Sequence, residues 1–154
     1  MRSGETKNKR KFVVASLAKV DDPIESMPGA PFGALVVLAD PKFPLKEMAK
    51  VAARLLESGC AWATLHAGGK LTARLHDVFD KAIVEHQLKK DPEADMQTSG
   101  DTEDSLEEAV RDAVWYGQPT YGTQYSELLV LVIGDDKDKL AEKAEGFAKS
   151  VEED

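Results

Sequence analysis

Two stretches of the chain are apolar without interruption, Ala34-Leu35-Val36-Val37-Leu38-Ala39 and Leu128-Leu129-Val130-Leu131-Val132-Ile133. A strand with one wet face alternates polar and apolar residues, whereas a strand covered on both faces does not. Both stretches therefore predict central strands of a parallel sheet. Cys60 to Leu65 is a third run of this kind, and His66-Ala67-Gly68-Gly69 breaks it. Ala94 to Thr98 is a weaker fourth, placed there because strand and helix patterns alternate along the rest of the chain. Phe12-Val13-Val14 predicts a short edge strand.

Between these runs the apolar spacing becomes helical. Leu45, Met48, Ala52, Leu55 and Leu56 recur at steps of three and four, with Pro44 suited to the first turn and Gly59 to the end. Leu71, Leu75, Val78, Phe79, Ala82 and Ile83 mark a second helix, which Asp91-Pro92 closes. Ser105 with Glu108 three residues on is a capping box, opening a third helix with Leu106, Ala109, Val110, Ala113 and Val114 on its core face. Leu140, Ala144, Phe147, Ala148 and Val151 mark the last. The order β-α-β-α-β-α-β-α predicts a three-layer α/β sandwich: a four-stranded, mostly parallel, Rossmann-like (flavodoxin-like) sheet with four helices. Residues 12–154 read as a single α/β domain. Residues 1–11 read as a disordered basic N-terminal arm, because they carry no apolar period.

Charge sharpens this picture. The net charge is −8, yet residues 1–19 hold six Lys/Arg against Glu5 alone, leaving 14 basic and 27 acidic residues to the remainder. An acidic body argues against nucleic-acid binding and suits a basic protein partner. The lone cysteine, Cys60, excludes an internal disulfide framework and reads as a buried thiol in a reducing, cytoplasmic setting. No apolar run approaches the roughly 20 residues that span a bilayer, and no signal peptide is evident.

The familiar chemical signatures are missing. The chain has no G-x-G-x-x-G, no Walker loop, no Cys/His zinc spacing and no G-x-S-x-G elbow. No catalytic residue, metal ligand or cofactor is predicted. Polar residues do gather at the predicted strand ends: Asp40; His66, Gly68 and Gly69; Thr98, Ser99 and Asp101; Gly134, Asp135 and Asp136. In a parallel sheet these loops share one rim, where α/β proteins take their ligands. The same residue types are also ordinary caps and turn formers. His76 and Asp80 stand one helical turn apart, off the core stripe of the second helix. They read as a structural polar pair holding that helix to the loop after the second central strand, with general-base chemistry as the alternative. His86 falls on the core stripe and reads as a buried, satisfied histidine. Trp62 and Trp115 read as anchors, and Tyr116, Tyr121 and Tyr125 flank a Gly-containing loop suited to protein contacts.

Taken in order, Pro28-Gly29-Ala30-Pro31, Leu35-Val36-Val37-Leu38, Leu56-Glu57-Ser58-Gly59-Cys60, His76-Asp77-x-x-Asp80-x-Ala82, Met96-Gln97-Thr98 and Ser105-Leu106-Glu107-Glu108-Ala109 resemble a family of uncharacterised small bacterial α/β domains. Members carry Trp-Gly and Thr-Trp-His where this chain has His66-Ala67-Gly68 and Thr98-Ser99-Gly100. The resemblance implies the fold, a bacterial origin and a cytosolic location, and no activity. The expected function is that of a non-enzymatic acidic domain that binds a protein partner, in the manner of an immunity or accessory protein. Self-association into a homo-oligomer is also open. The alternative is a small-ligand or nucleotide-binding domain using the rim, with weak hydrolytic activity at most.

Overall fold

The computed structural model describes residues 2–117, 127–134 and 137–153. Its strands are β1 (Arg2–Glu5), β2 (Lys11–Leu17), β3 (Phe32–Leu38), β4 (Cys60–His66), β5 (Gln97–Ser99) and β6 (Leu128–Ile133). Its helices are α1 (Met48–Glu57), α2 (Lys70–Lys89), α3 (Leu106–Trp115) and α4 (Lys137–Ser150), with a single 3-10 turn at Leu45–Glu47 leading into α1. The class is α/β, with a mixed, mostly parallel sheet of order β1-β2-β6-β3-β4-β5.

Both uninterrupted runs are indeed central. β3 and β6 pair in parallel from Gly33–Leu128 to Leu38–Ile133, and every residue of each is buried. Side chains alternate across the sheet. Ala34, Val36, Leu129 and Leu131 meet Val51, Leu55, Leu75 and Phe79 in the layer of α1 and α2. Leu35, Val37, Leu128 and Val130 meet Val110, Val114, Ala144 and Ala148 in the layer of α3 and α4. Each helix contributes one apolar stripe, so two helices per face complete the sandwich.

The expected strand count and edge are corrected. The sheet has six strands rather than four, and β2 lies between β1 and β6 instead of at the edge. Residues 2–5, expected as a disordered arm, are the outer strand β1, antiparallel to β2. Its Arg-Ser-Gly-Glu is largely exposed, so backbone pairing rather than side-chain burial recruits it. The weak strand is also shifted, to Gln97–Ser99 from 94–98. Counting only the parallel strands in chain order, the sheet runs 1-5-2-3-4 rather than the flavodoxin-like 2-1-3-4-5. The connection from β2 to β3 carries no helix, and its Val20, Ile24 and Met27 pack into the α1–α2 layer.

Arg10, expected in the arm, is fully buried. Its guanidinium donates to the carbonyls of Val114 (3.1 Å), Gly117 (2.8 Å) and Ala113, and Asn8 Nδ2 also reaches Val114 O (3.0 Å). The last carbonyls of a helix have no partner within it, so the β1–β2 turn caps α3. Gly33 makes room for this cap, since a side chain there would run into the Arg10 guanidinium and Gly117 O.

Candidate functional site

The five parallel strands end on one rim. The chain leaves β3 through α1 on one face and β6 through α4 on the other, so the neighbours β3 and β6 form the switch point where ligands settle in such sheets. Here Asp40 and Gly134 do meet. A Cβ on Gly134, whose φ is +120°, would stand 2.8 Å from Asp40 Cβ and 2.9 Å from Asp40 N, so only glycine allows the approach. The Asp40 carboxylate, however, accepts from Lys42 N at 2.9 Å and closes a local turn.

Beside this crossing is a cavity of about 210 Å³. Its walls are the ends of β3 and β4 with Pro41, His66, Ala67 and Gly68, and Leu106 of α3 and Leu140 of α4 close it. Gly68 and Gly69 take φ of +81° and +56° and lead the chain into α2. The loop they form is held by Thr72, whose Oγ1 accepts from Ala67 N at 3.1 Å. His66 Nδ1 is buried without a hydrogen-bond partner. Burial also pushes the imidazole below its usual value, because the charged form loses solvation. It is therefore a neutral ring at pH 7. No charged side chain among the described residues lines the cavity.

The remaining rim candidates are taken up structurally. Thr98 Oγ1 donates to Asp80 Oδ1 at 2.8 Å, and Asp80 Oδ2 lies 3.2 Å from His76 Nδ1. The pair thus ties α2 to β5, not to the loop after β4, which corrects the expected partner. Ser99 Oγ accepts from Trp62 Nε1 at 3.1 Å and donates to Thr64 Oγ1 at 3.2 Å. These residues form a polar row on the α3 side of β4, opposite Ala63 and Leu65 in the α1–α2 layer. Asp101 accepts from Glu103 N at 2.9 Å and makes a turn into α3. Asp135 and Asp136 lie outside the described residues, as do Tyr121 and Tyr125.

Asp104 follows in this acidic stretch. Its carboxyl is pushed up to about 6, first by burial and then by Asp112, Asp101 and Glu108. His86 faces Glu57 Oε1 at 3.9 Å in the seam between α1 and α2. Cys60 donates to Trp62 O at 3.3 Å and is pushed up to about 12 by burial, so it stays a thiol. Trp115 Nε1 donates to Val151 O at 3.2 Å and anchors the end of α4. Among the described residues, no cluster of three or more His, Cys, Asp or Glu could hold a metal ion, and no helix is long and apolar enough to cross a membrane.

Three residues that close the cavity were not among the sequence candidates. Leu106 and Leu140 read as core positions, and Pro41 is not singled out by the pattern. The available signal was position: both leucines stand in the first turn of helices that follow strand ends. With the rim described, comparison adds one finding. The chain matches the sequence model of a domain of unknown function, DUF7684, over residues 14–150. It belongs to that family. No curated protein and no solved structure matches it. The family match is consistent with the resemblance to an uncharacterised family, and it spans all four helices, β3 to β6 and the last four residues of β2, together with the whole rim.

Proposed function

We propose that this protein is a small-ligand-binding domain that takes its ligand in the cavity at the carboxyl ends of β3 and β4, with His66 as its polar contact. The observation that carries this reading is the buried, unpartnered Nδ1 of His66 beside an open cavity. Buried polar atoms are hydrogen-bonded in the great majority of cases, so an orphan marks a position with another use. A neutral imidazole carries one N–H and one bare nitrogen. The unpartnered ring of His66 therefore has one donor and one acceptor to offer a ligand's polar group.

The test is native mass spectrometry of protein purified without denaturation, beside His66→Leu and Ala67→Phe. The expected result is a small molecule bound to the wild type and lost from Ala67→Phe, whose ring fills the cavity. His66→Leu should weaken binding about tenfold, the scale of one neutral hydrogen bond. A wild-type protein that carries no small molecule, even after incubation with a metabolite extract, would overturn the reading.

A second reading retains the protein partner, and a specific observation favours it. Val84 and Leu88 are 52% and 81% exposed and stand one turn apart on α2. An exposed apolar pair on an acidic body suits a basic partner surface or a second copy of the chain. The single buried thiol suits a reducing compartment such as the cytoplasm.

A further inference from the structure

Leu106 and Leu140 line two spaces at once. On one side they close the rim cavity. On the other they begin a groove of about 610 Å³ between α3 and α4, continued by Phe147, Gly146 and Ser150. From Leu140 to Ser150 the groove follows α4 for on the order of 15 Å.

Gly146 gives this groove its depth. It sits inside α4 without the positive φ that would require glycine. An added Cβ would meet nothing within 4 Å, so packing does not require glycine either. Glycine inside a helix is destabilising relative to alanine. With no backbone or packing reason, its effect is to keep the middle of the groove empty and its backbone approachable. The groove's charged side chains are Glu107 and Lys143, one of each sign, so it offers no field for a strongly charged partner. The rim cavity beyond it is lined by no charge among the described residues, and a charged head group buried there would go unpaired.

We propose that the groove holds the apolar chain of a small amphiphile, whose neutral head, such as a hydroxyl, ester or amide, reaches the rim cavity beside His66. The proposal rests on the rim-cavity reading above and names its ligand class. The head hydrogen-bonds to His66, and the chain passes Leu106 and Leu140 and lies across Gly146 against Phe147.

Titrations of the full chain with decanol, butanol and decanoate test it, followed by NMR at the His66 imidazole and the Leu106 and Leu140 methyls. Decanol should bind about a hundredfold more tightly than butanol, a fraction of what full burial of the extra methylenes yields. Decanoate should bind more weakly than decanol. Gly146→Leu places a side chain in the groove while improving helix propensity. It should melt no lower than wild type, bind butanol as before and lose the preference for decanol. Equal affinity for the two alcohols, a preference retained in Gly146→Leu, or tighter binding of decanoate would overturn the proposal. If the alcohols still move the His66 signals, the rim reading survives that failure; if no probe moves them, both fall. Sedimentation supplies one further outcome. A wild-type dimer that Gly146→Leu dissociates would assign the groove to a second copy and overturn the amphiphile.

Discussion

Asp104, just before α3, and His76, on α2, show how differently similar polar residues are used. His76, Asp80 and Thr98 form a chain of contacts at a half-exposed surface, each with a partner. Asp104 instead stands half-buried among Asp101, Glu108 and Asp112, and its carboxyl is raised from 3.8 to about 6. The sign of its effect on stability follows. Between those two values the folded state binds more protons than the unfolded state, so Asp104 favours folding at low pH. That contribution is lost as pH rises from about 4 through 6. At pH 7 the ionised carboxylate is a net cost. Asp104→Asn should therefore raise stability at pH 7 by about 1 kcal/mol, the full linkage value being reduced by solvent screening at a partly exposed site. The gain should vanish near pH 4. Urea denaturation at the two pH values measures it, and an equal gain at both would show that the charge is not its source.

At the scale of elements, the N-terminal hairpin is the instructive case. β1 adds backbone pairing to one edge and covers Phe12, whose ring lies 2.9 Å from where a Cβ on Gly4 would stand. The turn after it delivers Arg10 to the end of α3. These two contributions differ in size. Removing residues 1–5 strips an exposed strand and should cost about 1 kcal/mol, within the range of ordinary surface changes to a marginally stable fold. Arg10→Met fills much of the same volume but leaves the α3 carbonyls without their donor, and should cost about 3 kcal/mol. Arg10→Lys should recover little, since one ammonium cannot reproduce the planar fork. Chemical denaturation of the three variants ranks them. A truncation more damaging than Arg10→Met would place the hairpin's importance in its pairing rather than in the cap.

For the molecule as a whole, the decisive feature is the insertion of β6 between β2 and β3. It makes β6 the strand that joins the first part of the sheet to the rest, with full-length parallel partners on both sides. Val130 is 0% exposed there. Val130→Asp would place an unpaired carboxylate in the α3–α4 core, at a cost of several kcal/mol, comparable to the whole stability of a domain. The expected outcome is no soluble folded protein, and a variant with a wild-type melt would contradict the assignment of β6 to the sheet centre. The same insertion brings Asp40 against Gly134 and sets the β4 end, with His66, under the first turns of α3 and α4.

The chain's pattern by itself determined the central strands, the four helices, their capping box and the α/β class. These are local: a period of apolar residues is dictated by which faces are covered, and it is written residue by residue. It also named His66 and the Gly68-Gly69 loop, because polar residues and glycines that end an apolar run stand out. Strand β1 left no mark, since an exposed edge strand is held by backbone bonds that any sequence can make. Arg10 was misread as part of a solvated arm because charge is visible in a sequence while burial by a distant helix end is not. The strand order, the partners of Asp80 and Ser99, and the cavity shared by Pro41, His66, Leu106 and Leu140 were decided only by tertiary structure. Each depends on where long-range crossovers set residues that are far apart along the chain, and no local period encodes that distance.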